Sequence, residues 1–241
     1  LGGLALLLVA FGLLVPRGMN AVVALLLMAL GLGFFGGFEW MLESILKPYV
    51  VYGYMYGNAV EVSKADVYRA EGYLPHIAFR TGDDGADLLR RACRSCHTLD
   101  GYQPLSPAFD GTDPEFIAGI VRGAEALKGN MPPFLGTEEE SRLIAEHIWE
   151  RVDQRPMNEV YGLEGAALGR QVYDVRCGRC HEIGGFRDAW ETLVTMEGDE
   201  YYDLLEVAGD LDEAMPPFTG NELEAEALIA YFESLKEGGA E

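Results

Sequence analysis

Cysteine and histidine are scarce in this chain of 241 residues, with four of each. All four cysteines fall in two C-x-x-C-H stretches, which leaves none for a structural disulfide and excludes a disulfide-stapled scaffold. Basic residues are also few: 18 Lys and Arg stand against 39 Asp and Glu, for a net charge of −21. A surface that acidic repels phosphate backbones, so no nucleic-acid ligand is expected and a basic protein partner is favoured. Charge of either sign is nearly missing from the first 50 residues, where Arg17, Glu39, Glu43 and Lys47 are the charged groups. The acidic excess therefore lies in residues 51–241, and the chain reads as an apolar anchor followed by an acidic, water-exposed region.

Residues 21–38, AVVALLLMALGLGFFGGF, carry no charge. At about 1.5 Å per residue such a run crosses most of a ~30 Å hydrocarbon core, which predicts a transmembrane helix over about 21–42. A second apolar run, LGGLALLLVAFGLLV over 1–15, predicts another span, with a turn at Pro16-Arg17-Gly18-Met19-Asn20 between the two. Arg17 puts that turn in the cytoplasm by the positive-inside rule, and so delivers Tyr49 onward to the periplasmic or outer face of a bacterial cytoplasmic membrane. Trp40, Tyr49, Tyr52, Tyr54 and Tyr56 are then placed to form an interfacial aromatic belt against membrane lipid. A signal peptide carries one short apolar region rather than two. The stretch from Glu39-Trp40 through Lys47-Pro48-Tyr49-Val50-Val51-Tyr52-Gly53 weakly resembles the end of the last helix in subunit I of bd-type quinol oxidases, without the basic residue usual before Lys47. That resemblance implies an origin in, or packing within, a quinol-oxidising membrane complex.

The acidic region is an internal repeat. Aligning Cys93-Arg94-Ser95-Cys96-His97 with Cys177-Gly178-Arg179-Cys180-His181 at an offset of 84 also aligns Met131-Pro132-Pro133-Phe134 with Met215-Pro216-Pro217-Phe218, without a gap. Each methionine follows its histidine by 34 residues. Helical periodicity over 84–92 and 165–176 leads into each cysteine pair, and middle helices are expected over 113–122 and 199–207. Thr137 and Asn221, each followed by acids, read as starts of closing helices whose apolar faces carry Ile144 and Ile148 in one copy and Leu228 and Phe232 in the other.

In C-x-x-C-H, two thiols three residues apart on a helical turn can bond the two vinyl groups at one porphyrin edge, while the adjacent histidine reaches the iron. The pattern predicts two covalently attached haem c groups, on Cys93, Cys96 and His97 and on Cys177, Cys180 and His181. A zinc site would need two further ligands for each pair, and a redox dithiol leaves both histidines without a role. Methionine before two prolines sits on stiff, extended backbone. Met131 and Met215, recurring in step with the haem motif, are the expected second axial ligands of His97 and His181. His/Met ligation raises the reduction potential and leaves no open coordination position. His76, His147, Met157 and Met196 are competitors without the support of the repeat.

Each copy resembles a class I cytochrome c domain, over roughly 82–155 and 162–237, on the strength of the C-x-x-C-H, Met-Pro-Pro-Phe and closing-helix patterns. The resemblance implies an all-α fold of two tandem class I cytochrome c domains preceded by two transmembrane helices. The division expected is 1–50 anchor, 51–81 connector, 82–155 first domain and 156–241 second domain. The function implied is relay of single electrons between a quinol-oxidising or haem-containing membrane complex and a soluble, extracytoplasmic redox protein. In that role the chain is more a non-catalytic subunit of a respiratory complex than an enzyme. The alternative is a dihaem oxidoreductase with one catalytic haem, a peroxidase or small-substrate dehydrogenase.

Overall fold

In the computed structural model of the chain, the residues described are 17–46, 51–129 and 131–238, together with positions 3, 6, 7, 10, 13 and 14 of the leading stretch. Two units separate, Leu1–Lys47 and Pro48–Glu241. The first contains helix α1 (Arg17–Leu46), in which Ala21–Leu42 is long and apolar enough to cross a membrane. Most of its described apolar side chains, among them Leu25, Leu32, Phe34 and Phe35, are exposed, while Val23 is buried. A long helix that is apolar around its circumference and largely exposed is what a bilayer accommodates. Among the described residues it is one such helix where two were expected. Most of the first span, 1–15, lies outside the described residues, although the described positions within it are helical. The turn expected at 16–20 is instead helix from Arg17 onward. A single Gly18 or Asn20 costs a helix about 1 kcal/mol or less, too little to break a long apolar run. Tyr49 of the expected aromatic belt and residues 47–50 of the bd-like stretch lie outside the described residues.

In the second unit the described residues are mostly helical and form no strand, only three isolated β-bridges. Helix α2 (Ala65–Glu71) lies in the stretch 51–81 expected to be a connector. That stretch is no free tether, because Val60, Tyr68 and Tyr73 are buried in the core of the first repeat. The first repeat continues with α3 (Asp84–Ala92), α4 (Pro114–Arg122) and α5 (Glu138–Trp149). A short helix, α6 (Met157–Tyr161), leads into the second, built from α7 (Gly165–Arg176), α8 (Trp190–Leu193), α9 (Asp199–Leu211) and α10 (Glu222–Gly238).

Local chemistry sets these boundaries. Asp83, Asp113 and Asn221 each accept a backbone N–H of the first turn that follows, and Thr137 forms a full capping box with Glu140. In both repeats the opening helix crosses the closing one at a glycine. A Cβ on Gly85 of α3 would stand 2.6 Å from the Leu143 carbonyl and 2.8 Å from His147 Cβ, and one on Gly169 of α7 would overlap the Ala227 carbonyl and Tyr231 Cβ. Those positions correspond at the same offset of 84, so the repeat extends to the contact between helices.

The two haem sites

Each cysteine pair sits on the turn that ends an opening helix. Cys93 N–H donates to Leu89 and Cys177 N–H to Tyr173, and then His97 N–H donates to Cys93 at 3.0 Å and His181 N–H to Cys177 at 2.9 Å. The helical turn therefore continues through the motif and holds its two thiols three residues apart, as attachment to one porphyrin edge requires. Burial pushes the Cys93 and Cys177 thiols up to about 12. A thiol raised in this way is a poor nucleophile by itself. Among the described residues no cluster of three His, Cys, Asp or Glu stands ready to hold a metal ion by itself.

Each imidazole is set by its backbone. His97 Nδ1 meets the Gln103 carbonyl at 3.0 Å, and His181 Nδ1 meets the Arg187 carbonyl at 2.9 Å. A proton held on Nδ1 leaves Nε2 as the free lone pair, the tautomer an iron ligand needs. Both accepting carbonyls belong to residues with left-handed backbone, at φ 42° for Gln103 and 46° for Arg187. The loops before them also match, with Thr98 N–H donating to Tyr102 and Glu182 N–H to Phe186. Sequence reading missed these two residues because they act through carbonyls, and their side chains, Gln and Arg, share nothing.

The second set of candidate groups is drawn together. Cys177, Cys180, His181 and Met215 all line one cavity of about 300 Å³, walled by apolar groups that include Leu228 and Phe232 of α10. Tyr173 stiffens this site, its hydroxyl donating to the His181 carbonyl at 2.7 Å. In the first set Cys93, Cys96 and His97 share one turn, Cys93 packs against the core, and Met131 lies exposed on its loop beside Asn130, which is outside the described residues. After each methionine the loops are alike. A Cβ on Gly136 would strike Phe134 and the Glu140 carboxylate, and one on Gly220 would strike Phe218 and the Glu224 carboxylate.

The four competitors have other occupations. His147 pairs with Asp83 at 3.5 Å and His76 with Glu71 at 3.2 Å. Met157 is fully buried against Gly111, and Met196 packs beside the core of the second repeat.

The family model for cytochrome c oxidase, cbb3-type, subunit III matches the chain twice, over residues 80–148 and 164–232. The chain belongs to this family. No curated protein and no solved structure matches it. Membership makes the chain a c-type cytochrome of electron transfer carrying two covalently bound haem c groups, one for each match. The residues fit that cofactor: paired thiols on one turn and an imidazole with Nε2 left free in each copy, and in the second an apolar cavity faced by a thioether. Cys93 and Cys96, and Cys177 and Cys180, would hold the porphyrin edges, and His97 and His181 the irons.

Proposed function

We propose that the chain is a membrane-anchored relay. It would pass single electrons between a quinol-oxidising or haem-containing membrane complex and a soluble extracytoplasmic protein, with His97/Met131 and His181/Met215 as its axial pairs. When bound, each haem supplies a one-electron iron couple. The protein supplies the rest. The Gln103 and Arg187 carbonyls hold the imidazole protons on Nδ1, and the prolines after each methionine stiffen the thioether loops. The apolar cavity around Met215 keeps water from the second iron, which favours the reduced state.

The observation that carries this reading is the identity of the two donor sets, including the loops that orient both histidines. Both copies carry a methionine at the matching position, so the sequence offers each iron a second ligand. Both copies also belong to one compact unit, so the spacing between the haems is fixed by packing rather than by a flexible linker. The apolar span Ala21–Leu42 supports an anchor that confines the search for partners to the membrane plane. Partners consistent with the chemistry are integral subunits of a respiratory complex on one side and a basic soluble redox protein on the other.

The near-infrared sulfur-to-iron charge-transfer band of the oxidised protein tests the ligation. It should integrate to two haems and fall by half in Met131→Ala and in Met215→Ala. A high-spin haem in the native protein, accompanied by hydrogen peroxide turnover, would replace the relay with the oxidoreductase reading.

A further inference from the structure

The two methionine loops are not held alike. On α4 of the first repeat, a Cβ added at Gly119 would stand 2.6 Å from Pro216 Cβ and 3.2 Å from its Cα, and one at Gly123 would run into the Ala214 carbonyl. The two glycines thus press bare backbone against the residues on either side of Met215. At the constant offset of 84 their counterparts in the second repeat are Asp203 and Val207, so the glycines are no part of the shared domain pattern. From the same helix start, Asp113 accepts the Thr219 hydroxyl and lies 3.7 Å from Arg176. Phe116 and Ala126, both buried, reach past the glycines and line the second cavity itself together with Met215, Cys177 and His181.

The histidine half of the second site is gripped as well. Lys128 N–H donates to the Arg179 carbonyl at 2.9 Å, within the cysteine motif. The Arg179 guanidinium donates to the Ala108 carbonyl and lies 4.7 Å from the centre of the Phe109 ring, and Cys180 packs against the first core. Ser95, the counterpart of Arg179, is exposed, and Met131 is 37 % exposed where Met215 is half-buried.

We propose that the second haem site is shared between the repeats: α4 of the first, through Gly119, Gly123 and Asp113, positions the Met215 loop and so holds the second iron's thioether ligand in place. This rests on the reading of Met215 as that ligand. Among the described residues no glycine of a neighbouring helix presses on the residues flanking Met131, whose loop is tied further along, where Leu135 N–H donates to the Tyr73 hydroxyl.

The test uses the full-length, two-haem protein in its oxidised state, with the charge-transfer band and an imidazole titration as readouts. Gly119→Val should lose half of the band, as Met215→Ala does, and the remainder should vanish when Met131→Ala is added. Thr219→Val, which keeps shape and removes the hydroxyl's bonds to Asp113 and to the Arg176 guanidinium, should keep the band but bind imidazole about fivefold more tightly at one haem, as loss of the hydrogen bond across the repeats implies. It also decides the matter should Gly119→Val fail to hold two haems. If Met215→Ala halves the band while Thr219→Val binds imidazole as the native protein does, or a folded Gly119→Val keeps the whole band, the brace is wrong. A full band in Met215→Ala would overturn the ligand assignment, and the brace with it.

Discussion

Gln103 and Arg187 hold the two histidines from left-handed backbone, a conformation that costs an ordinary L-residue about 1–2 kcal/mol. Arg187→Gly should therefore keep or raise the melting temperature, whereas Arg187→Val, β-branched at positive φ, should lower stability by roughly 1–2 kcal/mol. Thermal denaturation of the two-haem protein distinguishes them. Arg176 and Glu224 make a sharper case. Their side chains are 4 % and 3 % exposed and meet at 2.9 Å, with the guanidinium also between the Phe116 and Phe218 rings. Removing one partner leaves a buried charge alone, so Arg176→Met should cost about 3–5 kcal/mol, and Arg176→Met with Glu224→Met should recover most of it. Chemical denaturation of the two variants reads this directly. Nothing in the sequence singled out Arg176, because the repeat has Ala92 in its place.

Among the helices, the opening pair α3 and α7 coincide with the spans expected from periodicity, and the capping residues named for the closing helices act as caps. What periodicity did not reveal is the second occupation of Glu140. Besides closing the capping box at Thr137, its carboxylate accepts the Tyr73 and Leu74 N–H groups, each at 2.8 Å, and so ties the stretch after α2 to α5. Thr137→Ala should cost about 1 kcal/mol, the usual loss of a cap. Glu140→Ala should cost about 3 kcal/mol, because it strands buried amide donors. It should also raise amide exchange across residues 58–76, which Thr137→Ala should leave near native. Middle helix α9 runs to Leu211 rather than ending near 207, since nothing in Ala208-Gly209-Asp210-Leu211 stops a helix before the Asp212 turn.

Taken as a whole, the molecule is an apolar helix joined to a strongly acidic unit with its own cores. A chain beginning at Pro48 should keep both haems and the native melting transition while leaving the membrane fraction, as pelleting and haem staining would report. With −21 of net charge, association with a basic soluble cytochrome should be fast at low salt and slow steeply as ionic strength rises, whereas an acidic cytochrome should react slowly at low salt. Stopped-flow oxidation across a salt series measures both.

The sequence by itself determined the all-helical class, the presence of two haems and the repeat. These rest on covalent chemistry and short-range periodicity, which a linear pattern carries. Only the tertiary structure decided which backbone carbonyls orient the histidines and that Val60, Tyr68 and Tyr73 belong to the first core. It alone showed that Gly119 and Gly123 lie against the Met215 loop. Each of these joins groups distant along the chain, or acts through backbone and missing side-chain volume. Such features leave no residue type to recognise until packing has placed them.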